Sequence, residues 1–190
     1  MSPQDVTPSL ARQRLASRTH YAMLGTPALA AVAWGLWRGA NPLAAAAWLA
    51  GGVALLSLVE YLVHRYLFHG SGFLAAVHAR HHEHPDREQI DAASYWLPLL
   101  PPLPVAWALA LATGEAAAGA CFAAGMCIGY MRFRWVHRRL HEHPERNPAL
   151  AAFHQGHHDD EACHFGVTTR LWDRLFGTAA RRIAAQPGQP

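Results

Sequence analysis

Four apolar stretches, joined in pairs by very short loops, limit what this chain can fold into. They cover residues 21–37, 42–68, 95–112 and 116–136. Each approaches the ~20 residues an α-helix needs to cross a ~30 Å hydrocarbon core. The second is long enough to cross and continue beyond. The third is interrupted early by Pro98, Pro101, Pro102 and Pro104, which suits an irregular lead-in followed by a short helix. Only residues 38–41 separate the first two stretches, and only residues 113–115 separate the last two. Loops that short imply tight helical hairpins. The expected fold is all-α, a four-transmembrane-helix bundle built as one domain over residues 1–190. Residues 1–20 form its N-terminal segment and residues 179–190 a flexible C-terminal tail.

Composition and charge agree. Charged residues make up 15% of the chain, against about 25% in an ordinary soluble domain. All sixteen basic residues are Arg, and in the four-span arrangement fifteen of them fall on one side. Arg12, Arg14 and Arg18 precede the first span; Arg65, Arg80 and Arg87 lie between the second and third; Arg132 and all later ones end or follow the fourth. Only Arg38 lies opposite. Basic residues mark the cytoplasmic side, so both termini and the long polar segments 70–94 and 137–190 are expected there, at a bacterial inner membrane. A buried soluble α-bundle would not need this asymmetry. The net charge of +3 is too small, and too close to apolar segments, to suggest nucleic acid binding. Residues 1–10 lack a signal-peptide layout. Cys121, Cys127 and Cys163 form no CxxC pair and give no disulfide framework; the first two read as small core residues. Cys163 lies among histidines, whose pattern is complete without it.

The fourteen histidines carry the chemistry. Ten fall in four clusters: His64 and His69 (HxxxxH), His78, His81 and His82 (HxxHH), His137 and His141 (HxxxH), and His154, His157 and His158 (HxxHH). Residues i, i+3 and i+4 share a helix face, so each cluster of the last three kinds can converge on one point. His64 and His69 stand about 140° apart on an ideal helix, and converge only if the helix ends or loosens near Phe68. There is a loose two-fold echo, in which each hairpin ends in a histidine-bearing helix end followed by an HxxHH. Ten imidazoles are too many for one metal ion and suit two with about five each. Iron, zinc and copper all accept imidazole. A ligand imidazole normally has its other nitrogen held by an acid or a carbonyl, and Glu60, Asp159, Asp160 and Asp173 are the candidates for that role. His20, His84, His143 and His164 read as ordinary core, surface or helix-end residues.

The order of these clusters resembles the fatty acid hydroxylase and sterol desaturase superfamily of membrane di-iron enzymes. Residues 60–69, EYLVHRYLFH, look like the lead-in of the fatty acid 2-hydroxylase branch, and residues 164–178, HFGVTTRLWDRLFGT, are similar to the superfamily's closing segment. The resemblance covers residues 55–178. It implies a four-helix membrane scaffold whose cytoplasmic, histidine-rich helical cap holds a dinuclear metal site. The family's ligands fall on the ten clustered histidines. It also implies two iron ions, which zinc can replace in a purified sample, with molecular oxygen as co-substrate. The implied reaction is oxygen-dependent hydroxylation or desaturation of a fatty acyl or related lipid. An external donor, a ferredoxin or a small haem cytochrome with its reductase, would supply the electrons. Two departures bear on the substrate: residues 83–100 lack an Arg-Leu-Val-x-Pro-Pro stretch, and His164 stands where that branch tends to have Asn.

An unactivated C–H bond requires an apolar channel beside the metals, with the lipid head group at the interface. Trp96, Trp135 and Trp172 suit interfacial anchors, and Leu171, Trp172, Leu175 and Phe176 form a stripe suited to the membrane surface or to packing on the cap. Sterol or lipid desaturation and carotenoid hydroxylation use the same chemistry. A membrane metal transporter or sensor would place ligands mid-span, often with carboxylates; a hydrolytic zinc enzyme would keep three protein ligands and an open position.

Overall fold

The computed structural model describes residues 10–85 and 100–180, with side chains from residue 15 onward. Every regular element among the described residues is helical. In chain order these are α1 (Leu10–Trp37), α2 (Pro42–Val63), α3 (Phe73–Glu83), α4 (Pro102–Thr113), α5 (Ala116–Glu142), α6 (Pro148–Asp159) and α7 (Leu171–Leu175). A π-helical turn, His64–Phe68, continues α2, and a 3-10 turn, Pro144–Arg146, precedes α6.

The two short loops form as their lengths require. Gly39, at φ 86°, reverses the chain after α1. Asn41 Oδ1 then accepts from the N–H groups of Leu43 at 2.8 Å and Ala44 at 3.3 Å, capping otherwise unpaired donors at the start of α2. Gly114 ends α4 in the left-handed region at φ 71°, the usual helix-stopping conformation.

By their internal contacts, the residues divide into two compact units, Met1–Ala54 with Glu88–Met131, and Leu55–Arg87 with Arg132–Pro190. In the first, small residues bring helices into backbone contact. A Cβ on Gly52 would overlap the backbone of Phe122 and Met126, one on Gly125 that of Leu49, and one on Gly119 that of Ala106. Such close approach is how helices associate where lipid removes the hydrophobic drive between them. Ala28, Ala124 and Cys127 form a core with Ala31, Val32 and Ile128 packed on it, and Cys121 is fully buried. His20 is buried here beside Tyr130, ring centroids 5.7 Å apart.

Two helical stretches, Pro42–Phe68 and Ala116–Glu142, are long and apolar enough to cross a membrane. Only 17% and 44% of their apolar windows are buried, whereas the core helix of a soluble protein would be mostly covered. Helix α4 has 12 residues, about 18 Å at 1.5 Å per residue. The proline-rich lead-in expected before it, with Pro98 and Trp96, lies outside the described residues, as do Arg87, most of the divergent stretch 83–100, the N-terminus to residue 9 and the tail from residue 181.

The second unit carries the histidines. Asn147 caps α6 by accepting from Leu150 N–H at 3.3 Å, with Pro148 in the first helical position, where its missing N–H costs nothing. Leu140 of α5, Ala151 of α6 and Val167 form a core with Phe133, Val136 and Leu150 against it. That core fixes the last turns of α5 against α6 and holds residues 163–169 beside them.

Candidate metal centre

The ten clustered histidines gather into two groups of five. His64, His69, His78, His82 and His157 form the first, and His81, His137, His141, His154 and His158 the second; within each group the candidate ligand atoms lie within 4.8 Å of one another. Neither HxxHH cluster converges on a single point, as its shared helix face suggested. Positions i+3 and i+4 differ by about 100° around a helix. His78 and His82 therefore face one group while His81 faces the other, and α6 makes the mirror choice with His154 and His158 against His157. The groups abut, with the His82 and His158 rings stacked at 4.4 Å.

The loosened helix needed to bring His64 and His69 together is the π-turn. His69 N–H reaches the His64 carbonyl oxygen at 3.3 Å, an i to i+5 bond that places the two rings one above the other, centroids 5.2 Å apart. Turns of this kind recur at functional sites.

The Nδ1 partners set the direction of the lone pairs. His64 Nδ1–H donates to the Phe165 carbonyl at 2.6 Å, and His157 Nδ1–H to the Cys163 carbonyl at 2.8 Å. His69 Nδ1–H donates to Glu161 Oε2 at 3.2 Å. A neutral imidazole has one N–H, so in these three the Nε2 is a bare lone pair. Yet His69 Nε2 lies 2.9 Å from His157 Nε2, with a lone pair on each. Lone pairs in opposition repel unless a cation lies among them. In the second group the Nε2 atoms of His137, His141, His154 and His158 follow one another at 3.0 to 3.3 Å. The buried His81 Nε2 meets no hydrogen-bond partner among the described residues. This donor chemistry fits a pair of metal ions.

Electrostatics keeps the imidazoles in their ligand form. Burial, helped by neighbouring imidazoles, holds His81 and His157 down to about 3 and His158 to about 4. Burial also lowers His78, His82 and His154. For His69 burial outweighs the opposing pull of Glu161. Neutral imidazole is the form that binds metal.

The candidate acids have other partners than an imidazole nitrogen. Glu60 Oε1 accepts from the N–H groups of Val167 and Thr168, each at 2.8 Å, and Oε2 from the Thr168 hydroxyl at 2.7 Å. Asp173, fully buried, accepts from Phe165 N–H, Gly166 N–H and the Thr178 hydroxyl, each at 2.8 Å. Burial raises its pKa. Both acids clamp the loop whose carbonyls hold His64 and His157. A Cβ on Gly166 would overlap the Thr169 carbonyl and the Asp173 carboxylate, so the clamp closes only around glycine. Asp159 accepts from Gln155 Nε2 at 3.0 Å, and its charge reaches His158. Asp160 accepts from Ala162 N–H at 3.1 Å in the turn that follows α6. An acid that does meet clustered imidazoles is Glu161, next in the same acidic run, at His69 and His82. Its choice over its neighbours depends on a chain reversal that the sequence pattern does not display.

Aromatic side chains wall the groups. The Phe165 ring lies 5.5 to 5.9 Å from the rings of His64, His69 and His157. Phe68 stacks on His78 at 4.9 Å and Phe133 on His137 at 5.6 Å. Cys163 is buried and engages this site through its carbonyl. His84 caps the end of α3, and His143 follows α5 with Nδ1 3.4 Å from Glu145. His164 takes a left-handed φ of 59°. Trp135 is exposed, while Trp172 donates to Ser57 Oγ at 3.0 Å; Leu171, Leu175 and Phe176 are exposed beside it.

Comparison with known proteins points one way. The profile of the fatty acid hydroxylase family matches residues 49–178, a span that includes all ten histidines and the clamped loop. Fatty acid 2-hydroxylase of Rattus norvegicus is 33% identical over 144 residues, covering 67% of this chain and 38% of the rat protein. Dihydroceramide fatty acyl 2-hydroxylase FAH2 of Arabidopsis thaliana is 31% identical over 149 residues, covering 68% of this chain and 59% of the plant protein. The solved structure of full-length scs7p, in which only the hydroxylase domain is visible, aligns with a TM-score of 0.59 at 26% identity. That alignment covers 80% of this chain and 61% of that one. The chain thus spans less than two thirds of the length of each of these proteins.

Proposed function

From the premise that this chain belongs to the fatty acid hydroxylase family, we propose that it hydroxylates a C–H bond of a fatty acyl or related lipid in an oxygen-dependent reaction. The ten clustered histidines are its metal ligands, five to each of two iron ions. Bound iron supplies the activation of molecular oxygen, with electrons from an external ferredoxin or small haem cytochrome and its reductase. The observation that carries this reading is the division of the histidines into two groups of five, with Nε2 lone pairs turned inward by fixed Nδ1 partners.

The chain's own residues do the rest. The Phe165 and Cys163 carbonyls hold two imidazoles in the ligand tautomer, and Glu60 and Asp173 hold those carbonyls in place. Phe68, Phe133 and Phe165 keep water from the ring faces, as an unactivated C–H substrate requires. The topology consistent with these roles has four crossings. Helices α1, α2 and α5 make three of them, and α4 belongs to the fourth. Both termini and the histidines then lie at the cytoplasmic face, where fifteen of the sixteen arginines fall.

The test is lipid profiling of cells expressing the wild type or His157→Ala under isotopic oxygen. The expected result is an acyl species carrying one labelled hydroxyl oxygen, absent from the variant. No oxygen-dependent product, together with metal flux across vesicles holding the purified protein, would replace the enzyme with a transporter.

A further inference from the structure

Arg65 follows His64 in the π-turn at the polar end of the apolar stretch Pro42–Phe68. Its Nη1–H donates to the Tyr61 hydroxyl at 2.8 Å. Tyr61 is fully buried, and its hydroxyl lies 3.0 Å from Thr178 Oγ1, which itself donates to Asp173 at 2.8 Å. The tyrosine proton therefore points to Thr178 and leaves an oxygen lone pair for Arg65. The guanidinium carbon also lies 5.1 Å from the Tyr66 ring centre and 5.8 Å from that of Phe165. One hydrogen bond and two rings thus fix the direction of this cation. The arginine–carboxylate contacts among the described residues are those of Arg138 with Glu142 and Arg146 with Glu145, and Arg65 takes part in neither. A guanidinium carries five N–H donors in a planar fork suited to a bidentate oxyanion, and a partly buried charge is costly without a partner.

An apolar edge adjoins it. Ser57, Tyr61 and Arg65 succeed one another at four-residue intervals and share a face of α2 and its π-turn. Helix α7 lies along that face: Trp172 Nε1–H donates to Ser57 Oγ at 3.0 Å, and the Phe176 ring stacks on Tyr61 with centroids 5.3 Å apart. Ser57 and Tyr61 belong to the apolar stretch, so α7 runs beside its last turns, with Leu171, Leu175 and Phe176 exposed. The exposed charged side chain of α7 is a second cation, Arg174, while Asp173 is buried against the N–H groups of Phe165 and Gly166. Apolar exposure beside positive charge fits an amphiphile of opposite charge. We propose that Arg65 and the exposed edge of α7 form a binding site for an anionic membrane lipid. Its phosphate lies on the guanidinium and its acyl chain along Leu171, Leu175 and Phe176. This rests on the membrane placement of α2 given above, and on no metal ligand.

The experiment is a competition between phosphatidylglycerol and phosphatidylcholine, each brominated on its acyl chains, for the full-length protein in mixed micelles. The Trp172 ring lies 6.4 Å from that of Phe176, beside the proposed chain. Bromine quenching of its fluorescence, taken as the difference between wild type and Trp172→Phe, is the readout. The wild type is expected to prefer phosphatidylglycerol by about fivefold, the effect of one basic residue at an anionic surface. Arg65→Gln should abolish that preference and Arg65→Lys should keep part of it. Arg18→Gln, at an exposed arginine of α1, should leave it unchanged, and inorganic phosphate at millimolar concentration should not relieve the quenching. No preference in the wild type, a result independent of how any variant folds, would overturn the proposal. So would a preference that survives in Arg65→Gln, an equal loss in Arg18→Gln, or relief by inorganic phosphate. Absence of quenching by either lipid would overturn it together with the membrane placement of α2.

Discussion

His81 and His157 occupy exchanged places. His81 rises from α3 between two residues of the first group, yet its ring lies 4.5 Å from His137 and 4.9 Å from His141 of the second. His157 rises from α6 between two residues of the second group, yet its ring lies 4.4 Å from His64 and 4.7 Å from His69 of the first. Each group therefore takes four histidines from one half of the pattern and a fifth from the other, and neither half can complete a group alone.

This exchange makes the effect of each alanine substitution local to the opposite group. In His157→Ala the position formed with His64 should lose affinity by more than about tenfold, beyond the lower bound for an outer partner, although the substituted residue lies on α6 between two ligands of the other position. His81→Ala should do the reverse. Elemental analysis after dialysis against a fixed free metal concentration should show near-halved content in both.

Glu60 should matter through the loop it holds. Glu60→Ala removes the acceptor of the Val167 and Thr168 N–H groups, and each buried donor left unpaired costs about 1–3 kcal/mol. Glu60→Gln keeps one amide oxygen for those donors, and the Thr168 hydroxyl can turn to accept from the amide nitrogen. Thermal unfolding in detergent should rank wild type, Glu60→Gln and Glu60→Ala in that descending order. The reverse ranking of Gln and Ala would show that the carboxylate serves some other end.

The left-handed backbone at His164 predicts an unusual substitution pattern. Asn tolerates that conformation, whereas a β-branched residue does not. His164→Asn should therefore fold with modest loss, surrendering the ring contact with Phe153 at 4.0 Å and the bond to the Ala179 carbonyl. His164→Val adds backbone strain of about 1–3 kcal/mol. Comparison of their unfolding midpoints checks the difference.

Acid should destabilise the fold from the histidines outward. Burial lowers His81 and His157 to about 3 and His158 to about 4, from an ordinary value of 6.5. The unfolded chain then binds protons below 6.5 that the folded chain refuses, so stability is full above that pH and falls as pH drops towards 4 and 3. Unfolding midpoints measured from pH 7.5 to 4.5 should decline steadily, and bound metal should be released over the same range.

Much of this was legible in the chain, for identifiable reasons. The short loops before Pro42 and Ala116 are visible because so few residues leave no other route between two apolar runs. The histidine set is visible because i, i+3 and i+4 spacing is a property of any helix. What the spacing does not reveal is that His81 and His82, adjacent in sequence, point about 100° apart and so serve different groups. Glu60 and Asp173 stand out as acids in apolar surroundings, but their partners are backbone N–H groups of residues 165–168, which a side-chain pattern does not encode. Glu161, and the carbonyls of Phe165 and Cys163, are hidden for the same reason: they depend on how the chain reverses after α6.

The π-turn at His64–Phe68 also acts as a count of residues. The first hairpin ends in HxxxxH and the second in HxxxH, and the difference is one amino acid. Deleting Tyr66 would leave a regular helix with histidines at i and i+4, and every α-helical bond of that turn could form. It would also shorten the path from His64 to α3 by one residue, although the chain leaves the helix at His69 and turns at Gly72, φ 98°, before His78 and His82. The one-residue difference between the two motifs is thus a difference in winding, a π-turn that brings His69 back over His64 where His137 and His141 need only a regular helical turn.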